Sequence, residues 1–107
     1  MESTKLYLDD IRIGPKDYST ITSPQYFIEL LEKCEITDIS LDHDLGLGVM
    51  TGYDVAKTMV EKNIYPSRSI NIHSSNPVGV QNMVQLFNRY APKEVEITCK
   101  HIGHAEY

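Results

Sequence analysis

Three amphipathic stripes of helical period alternate along this chain with short runs rich in apolar and β-branched residues, and that alternation is its strongest constraint. Phe27, Leu30, Leu31 and Cys34 fall at i, i+3, i+4 and i+7 after Ser23-Pro24, a cap followed by proline at the first helical position. Val55, Ala56, Met59 and Val60 follow Thr51-Gly52, and Asn63 and Pro66 end that helix. Val80, Met83, Val84, Phe87 and Tyr90 form the third stripe, stopped by Pro92. Between them lie Lys5–Leu8, Ile36–Leu41, Arg68–Ile72 and Val95–Cys99, which read as strands, with Tyr18–Thr22 as a weaker one. Strands joined by crossover helices predict a mainly parallel α/β sheet of four to five strands, with helices on both faces. The segment Ile11–Asp17, with Gly14-Pro15, reads as a loop joining the first two strands.

The size of 107 residues suits one domain over 1–107. A formal charge of −5 disfavours broad binding to duplex DNA or to an anionic membrane, and no apolar run approaches the ~20 residues of a membrane span. Cys34 and Cys99 sit inside apolar patterns without a C-x-x-C pair, which predicts two buried, reduced thiols in a cytoplasmic protein.

In open α/β sheets, ligands bind beyond the carboxyl ends of the strands. Those ends carry Asp9-Asp10, Asp42-His43-Asp44, His73-Ser74-Ser75-Asn76 and Lys100-His101. A lone Asp pair ends strands or caps helices in solvent. Two acidic clusters at neighbouring strand ends repel one another and favour a hard divalent cation, Mg²⁺ or Mn²⁺, on Asp9, Asp10, Asp42 and Asp44. His43, flanked by acids, suits a general acid or a cation that meets phosphate. His73 is either a hydrogen-bonded structural residue or a general acid or base.

Ser74, Ser75 and Asn76 precede a helix, where hydroxyls and N–H groups cap it, bind an anion, or do both. Gly79 permits close approach of backbone to a ligand or simply tight packing. Lys100 and Arg12 are candidate phosphate cations, Arg12 having solvated surface arginine as its plainer reading. Tyr53 is a candidate pocket wall against a base or sugar, or a packing residue at a helix start. The expected ligand is a small phosphorylated molecule.

The order of these groups resembles the receiver domain of response regulators. On that comparison Asp9 and Asp10 match the metal-binding acids, Asp42 the phosphoacceptor, Ser74 the hydroxyl position and Lys100 the lysine, and the first receiver helix is shortened or missing, since only a loop joins Asp10 to Tyr18. Four blocks together resemble more closely the cyclic-phosphate-processing receiver-like family of bacteria and phages. They are Leu6-Tyr7-Leu8-Asp9-Asp10, Ile39-Ser40-Leu41-Asp42-His43-Asp44-Leu45-Gly46, Thr51-Gly52-Tyr53-Asp54-Val55 and Ile72-His73-Ser74-Ser75-Asn76-Pro77-Val78-Gly79. The resemblance implies a flavodoxin-like fold and a metal-assisted phosphoesterase acting on a nucleotide or RNA-end cyclic phosphate. It also implies a setting of RNA repair or defence conflict in a bacterial or phage-infected cell. Two other functions fit the same residues, a stand-alone phospho-receiver with Asp42 as acceptor and a cyclic-nucleotide-binding module without catalysis.

Overall fold

A computed structural model describes residues 4–45 and 50–101. The strands are β1 (Lys5–Leu8), β2 (Ser19–Ile21), β3 (Asp38–Leu41), β4 (Ser69–Ser74) and β5 (Glu96–His101), and the helices are α1 (Pro24–Lys33), α2 (Gly52–Lys62) and α3 (Pro77–Tyr90). All pairings are parallel, in the order β2-β1-β3-β4-β5. That is the flavodoxin-like order, reached without a helix between β1 and β2. Of the loop expected over 45–50, residues 46–49 lie outside the described residues.

Each helix starts where its cap dictates. Ser23 accepts from the Tyr26 N–H, Thr51 and Asp54 form a reciprocal capping box, and Asn76 accepts from the Gly79 N–H with Pro77 in the first turn. Asn63, at φ 57°, ends α2 in the left-handed region that asparagine tolerates.

Helices were expected on both faces, but the three pack in a row, α1 on α2 and α2 on α3, over one face. Chain direction explains this. The steps β2 to β3, β3 to β4 and β4 to β5 all run the same way across the sheet, so right-handed crossovers place their helices together. The step β1 to β2 runs backwards and sends its connection to the opposite face. There Gly14 lies against the Tyr7 ring, so close that an added Cβ would stand 2.4 Å from Tyr7 Cγ, and Lys5 pairs with Asp17 at 2.9 Å.

Strand alternation divides the sheet accordingly. One row across it, Ile21, Leu8, Leu41, Ile72 and Cys99 in register, belongs to the face that packs on the helices. The next row, Thr20, Tyr7, Ser40, Asn71 and Thr98, belongs to the other face. That second face is built from polar groups that satisfy one another, which removes the need for a helix to cover apolar surface there.

Two core expectations fail. Cys34 and Cys99 are exposed, because Cys34 is the extended cap residue beyond α1 and Cys99 lies on the edge strand. Tyr90, in the last turn of α3, is also exposed, with the Arg89 guanidinium 5.5 Å over its ring. No helix among the described residues is long and apolar enough to cross a membrane.

Candidate functional site

Strand order reverses between β1 and β3, and a ligand crevice forms at such a switch point. Asp9 and Asp10 leave β1 on one side of it, and Asp42 leaves β3 on the other. One carboxylate oxygen from each of Asp9, Asp10 and Asp42 lies within 4.8 Å of the others. All three donors are oxygens, the set that a hard cation such as Mg²⁺ or Mn²⁺ takes. Asp44 was expected to join them, but its exposed carboxylate turns instead to His43 Nδ1 at 2.8 Å.

Asp9 is fully buried and surrounded by donors. The N–H groups of Ile11 and Arg12 meet Oδ1 at 2.8 and 2.9 Å, and His73 Nε2 and Arg12 Nη1 meet Oδ2 at 3.0 and 3.2 Å. Burial works against its charged form, but the two N–H donors, His73 and Arg12 together outweigh it and hold the carboxyl below its ordinary value. Asp42 moves the other way. Burial and the adjacent Asp9 charge raise it, against a Ser74 hydrogen bond, the His43 N–H at 2.7 Å and Arg12. Neighbouring carboxylates with opposed tendencies are a feature of functional sites.

For His73 the sequence left two readings, a hydrogen-bonded structural residue and a general acid or base. It is 2% exposed, and both ring nitrogens are engaged, Nδ1 with Ser40 Oγ at 2.6 Å and Nε2 with Asp9 Oδ2 at 3.0 Å. Burial lowers its pKa despite Asp9, which favours the neutral ring. An ionised Asp9 only accepts, which assigns the proton to Nε2 and makes Nδ1 the acceptor. Every donation in the chain then runs one way. The Thr98 hydroxyl donates to Asn71 Oδ1 at 2.8 Å, Asn71 Nδ2 to Ser40 Oγ at 3.0 Å, Ser40 to His73, and His73 to Asp9. Ser40 is small enough for the rings of Tyr7 and His73, on the strands either side, to stack over it at 4.0 Å and 6°. His73 thus contacts Asp9 from within the sheet and is placed to orient its carboxylate.

Around the acids, His43 carries its ring against α3. A Cβ on Gly79 would stand 2.5 Å from that ring, so the close approach at Gly79 is made by His43. Asn76 Nδ2 is 3.4 Å from His43 Nδ1 while its carbonyl caps α3, and buried Ser74 Oγ accepts from the Asn76 N–H at 3.1 Å. Ser75 is exposed beside them. Lys100 is the register partner of His73 on β5. Arg12 is no solvated surface residue, since its Nη1 stands 3.2 Å from Asp9 Oδ2 and 3.5 Å from Asp42 Oδ2. Tyr53 is not brought to the acids. It packs on the core and lines a groove between α2 and α3 with Asn82, Gln85 and Arg89.

The residues overlooked in the sequence are Tyr7, Ser40, Asn71 and Thr98. Their signal is period two, polar or amphipathic groups alternating with Leu8, Leu41, Ile72 and Cys99. Gly52 also went unnoticed as a site residue. Its N–H donates to the His43 carbonyl at 2.7 Å, and a Cβ there would meet the Asp42 carbonyl oxygen at 1.9 Å.

Fold and crevice define a receiver-type α/β domain. A crystal structure of the signal receiver domain of a Vibrio parahaemolyticus protein, assigned as a Luxo repressor, is similar in fold, with a TM-score of 0.58 and 18% identity over 95% of this chain and 82% of that one. The model of the cyclic-phosphate processing receiver domain matches residues 4–89, and the chain belongs to that family. Among curated proteins, none matches the chain.

Proposed function

We propose that the domain is a metal-assisted phosphoesterase that opens a nucleotide or RNA-end cyclic phosphate, most simply a 2′,3′-cyclic one. The observation that carries this reading is the set of carboxylate oxygens from Asp9, Asp10 and Asp42, gathered within 4.8 Å at the switch point. These residues would hold Mg²⁺ or Mn²⁺. Such an ion, when bound, supplies charge neutralisation at the phosphate and acidifies a nearby water.

The chain's own residues supply the rest. His73 and the turn N–H groups fix Asp9 in one orientation, so the site is organised before substrate arrives. Asp44 holds His43 Nδ1, leaving Nε2 as the nitrogen that protonates the departing sugar oxygen. Arg12, Ser75 and the side-chain amide of Asn76 are the groups offered to the non-bridging oxygens, where charge must be stabilised. Adding water across one P–O bond then yields a phosphomonoester and a free hydroxyl.

The test is a panel of cyclic mononucleotides and oligonucleotides incubated with folded protein and Mn²⁺, with products separated by chromatography. Monoester formation on at least one ring type is expected. Tight binding with intact ligand identifies a binding module instead, and the absence of both binding and turnover removes the proposal.

A second reading, phosphoryl acceptance by Asp42, is favoured by its place directly beyond β3, with the buried Ser74 at the end of the neighbouring strand β4. It predicts an increase of about 80 Da with a small phosphodonor and Mg²⁺, for one added phosphoryl group. Asp42→Asn abolishes that increase.

A further inference from the structure

Arg12 returns to the carboxylate that its own backbone caps. Its N–H donates to Asp9 Oδ1 at 2.9 Å, while its Nη1 lies 3.2 Å from Asp9 Oδ2 and 3.5 Å from Asp42 Oδ2. Asp9 and Asp42 are buried, yet the Arg12 side chain is 36% exposed, and Ile11 and Ile13 on either side of it are 83% and 87% exposed.

The groups that meet Asp9 are not equally able to leave. The Ile11 and Arg12 N–H groups are fixed by the turn, and His73 is buried beneath the sheet edge. The guanidinium alone among these partners sits on a side chain that can rotate into water without stranding a buried donor. Its contacts are also the longer ones, set against a 3.0 Å bond from His73. When Asp9, Asp10 and Asp42 are all ionised, one guanidinium offsets only part of their charge, so the cluster still attracts a divalent cation. A guanidinium and a divalent ion between the same two oxygens repel each other.

Resting on the metal-assisted reading, we propose that Arg12 is an exchangeable counter-cation, which neutralises Asp9 and Asp42 until a divalent ion binds and then turns outward to grip the substrate's phosphate. The planar fork of a guanidinium suits both tasks, since it matches a carboxylate and a phosphate alike. The backbone need not move, because the turn remains tied to Asp9 Oδ1.

Calorimetric titration of Mn²⁺ into the wild-type chain and Arg12→Gln, followed by inorganic phosphate into each Mn²⁺-loaded protein, tests the exchange. Arg12→Gln should bind Mn²⁺ about tenfold more tightly, with the competing charge gone, and phosphate about tenfold more weakly. Equal or weaker Mn²⁺ binding by Arg12→Gln overturns the exchange and leaves the metal site standing. Mn²⁺ binding by neither protein overturns the metal reading itself. A measurement on the wild-type chain avoids dependence on the variant's folding. The Arg12 Nε–H resonance should shift on saturation with Mg²⁺, and an unmoved resonance with Mg²⁺ bound overturns the exchange.

Discussion

His73 Nε2 meets Asp9 Oδ2 at 3.0 Å across 64 residues of sequence, joining the carboxyl ends of β4 and β1 over the strand between them. The bond makes a strand histidine part of the support for an acidic crevice, and it separates two roles that look alike in sequence. A histidine that transfers protons must reach the substrate, whereas one that orients an acid must be buried beside it.

Replacing His73 by alanine should therefore lower Mn²⁺ affinity by about 10–100-fold, the usual loss when a ligand's supporting partner is removed. It should also cost about 2–4 kcal/mol of stability, because a cavity opens under Tyr7 and Ser40 loses its acceptor. Metal titration and urea unfolding measure both. A fall in turnover with unchanged metal affinity would instead give His73 a direct chemical role.

Stability should decline on mild acidification. His73 has a folded pKa below 6.5 because it is buried, so the unfolded chain binds more protons in that range. Stability is complete above pH 6.5 and is lost as pH falls from there through the folded value. Asp9, held below 3.8, adds a further loss only at lower pH. Urea midpoints at pH 7 and pH 5 should differ, and His73→Asn should flatten the difference.

Much of this fold was legible because its helical stripes and caps are local signals. The acid clusters were legible for a related reason, since each follows a strand directly. The site's supporting side proved harder to read. Tyr7, Ser40, Asn71 and Thr98 are unremarkable one at a time, and become a row only when register is known. Whether His73 points to a substrate or to Asp9 depends on which strand lies beside which, information that one strand does not contain. For Arg12 the sequence offered a phosphate cation or a solvated surface residue, and the loop's return to Asp9 and Asp42 leaves no periodic trace to choose between them.

Asp42→Asn should stabilise the metal-free protein at neutral pH by about 1 kcal/mol, as a strained functional carboxylate is relieved. The sign follows from the raised pKa, since the folded state disfavours the charged form through burial and the nearby Asp9. Thermal unfolding without metal should show a higher midpoint for the variant. The added stability that Mn²⁺ gives the wild-type chain should be absent from it.

Two glycines should respond differently to alanine. At Gly52 the new Cβ meets a backbone oxygen of Asp42 at 1.9 Å, which cannot yield without moving the loop after β3, so a loss of about 3 kcal/mol is expected. At Gly79 the obstacle is the His43 ring, a side chain rather than backbone, which can shift by rotation. Gly79→Ala should stay within about 1 kcal/mol of wild type in urea, helped by helix propensity, while its His43 resonances shift.

Diffraction from crystals soaked with Mn²⁺ and a 2′,3′-cyclic mononucleotide, with anomalous scattering used to place the ion, addresses the acidic crevice most directly. The expected map has one Mn²⁺ ligated by Asp9, Asp10 and Asp42, with a phosphorus atom beside it and toward Asn76. An ion bound elsewhere, or those three carboxylates without a peak in a crystal that holds the nucleotide, contradicts the account.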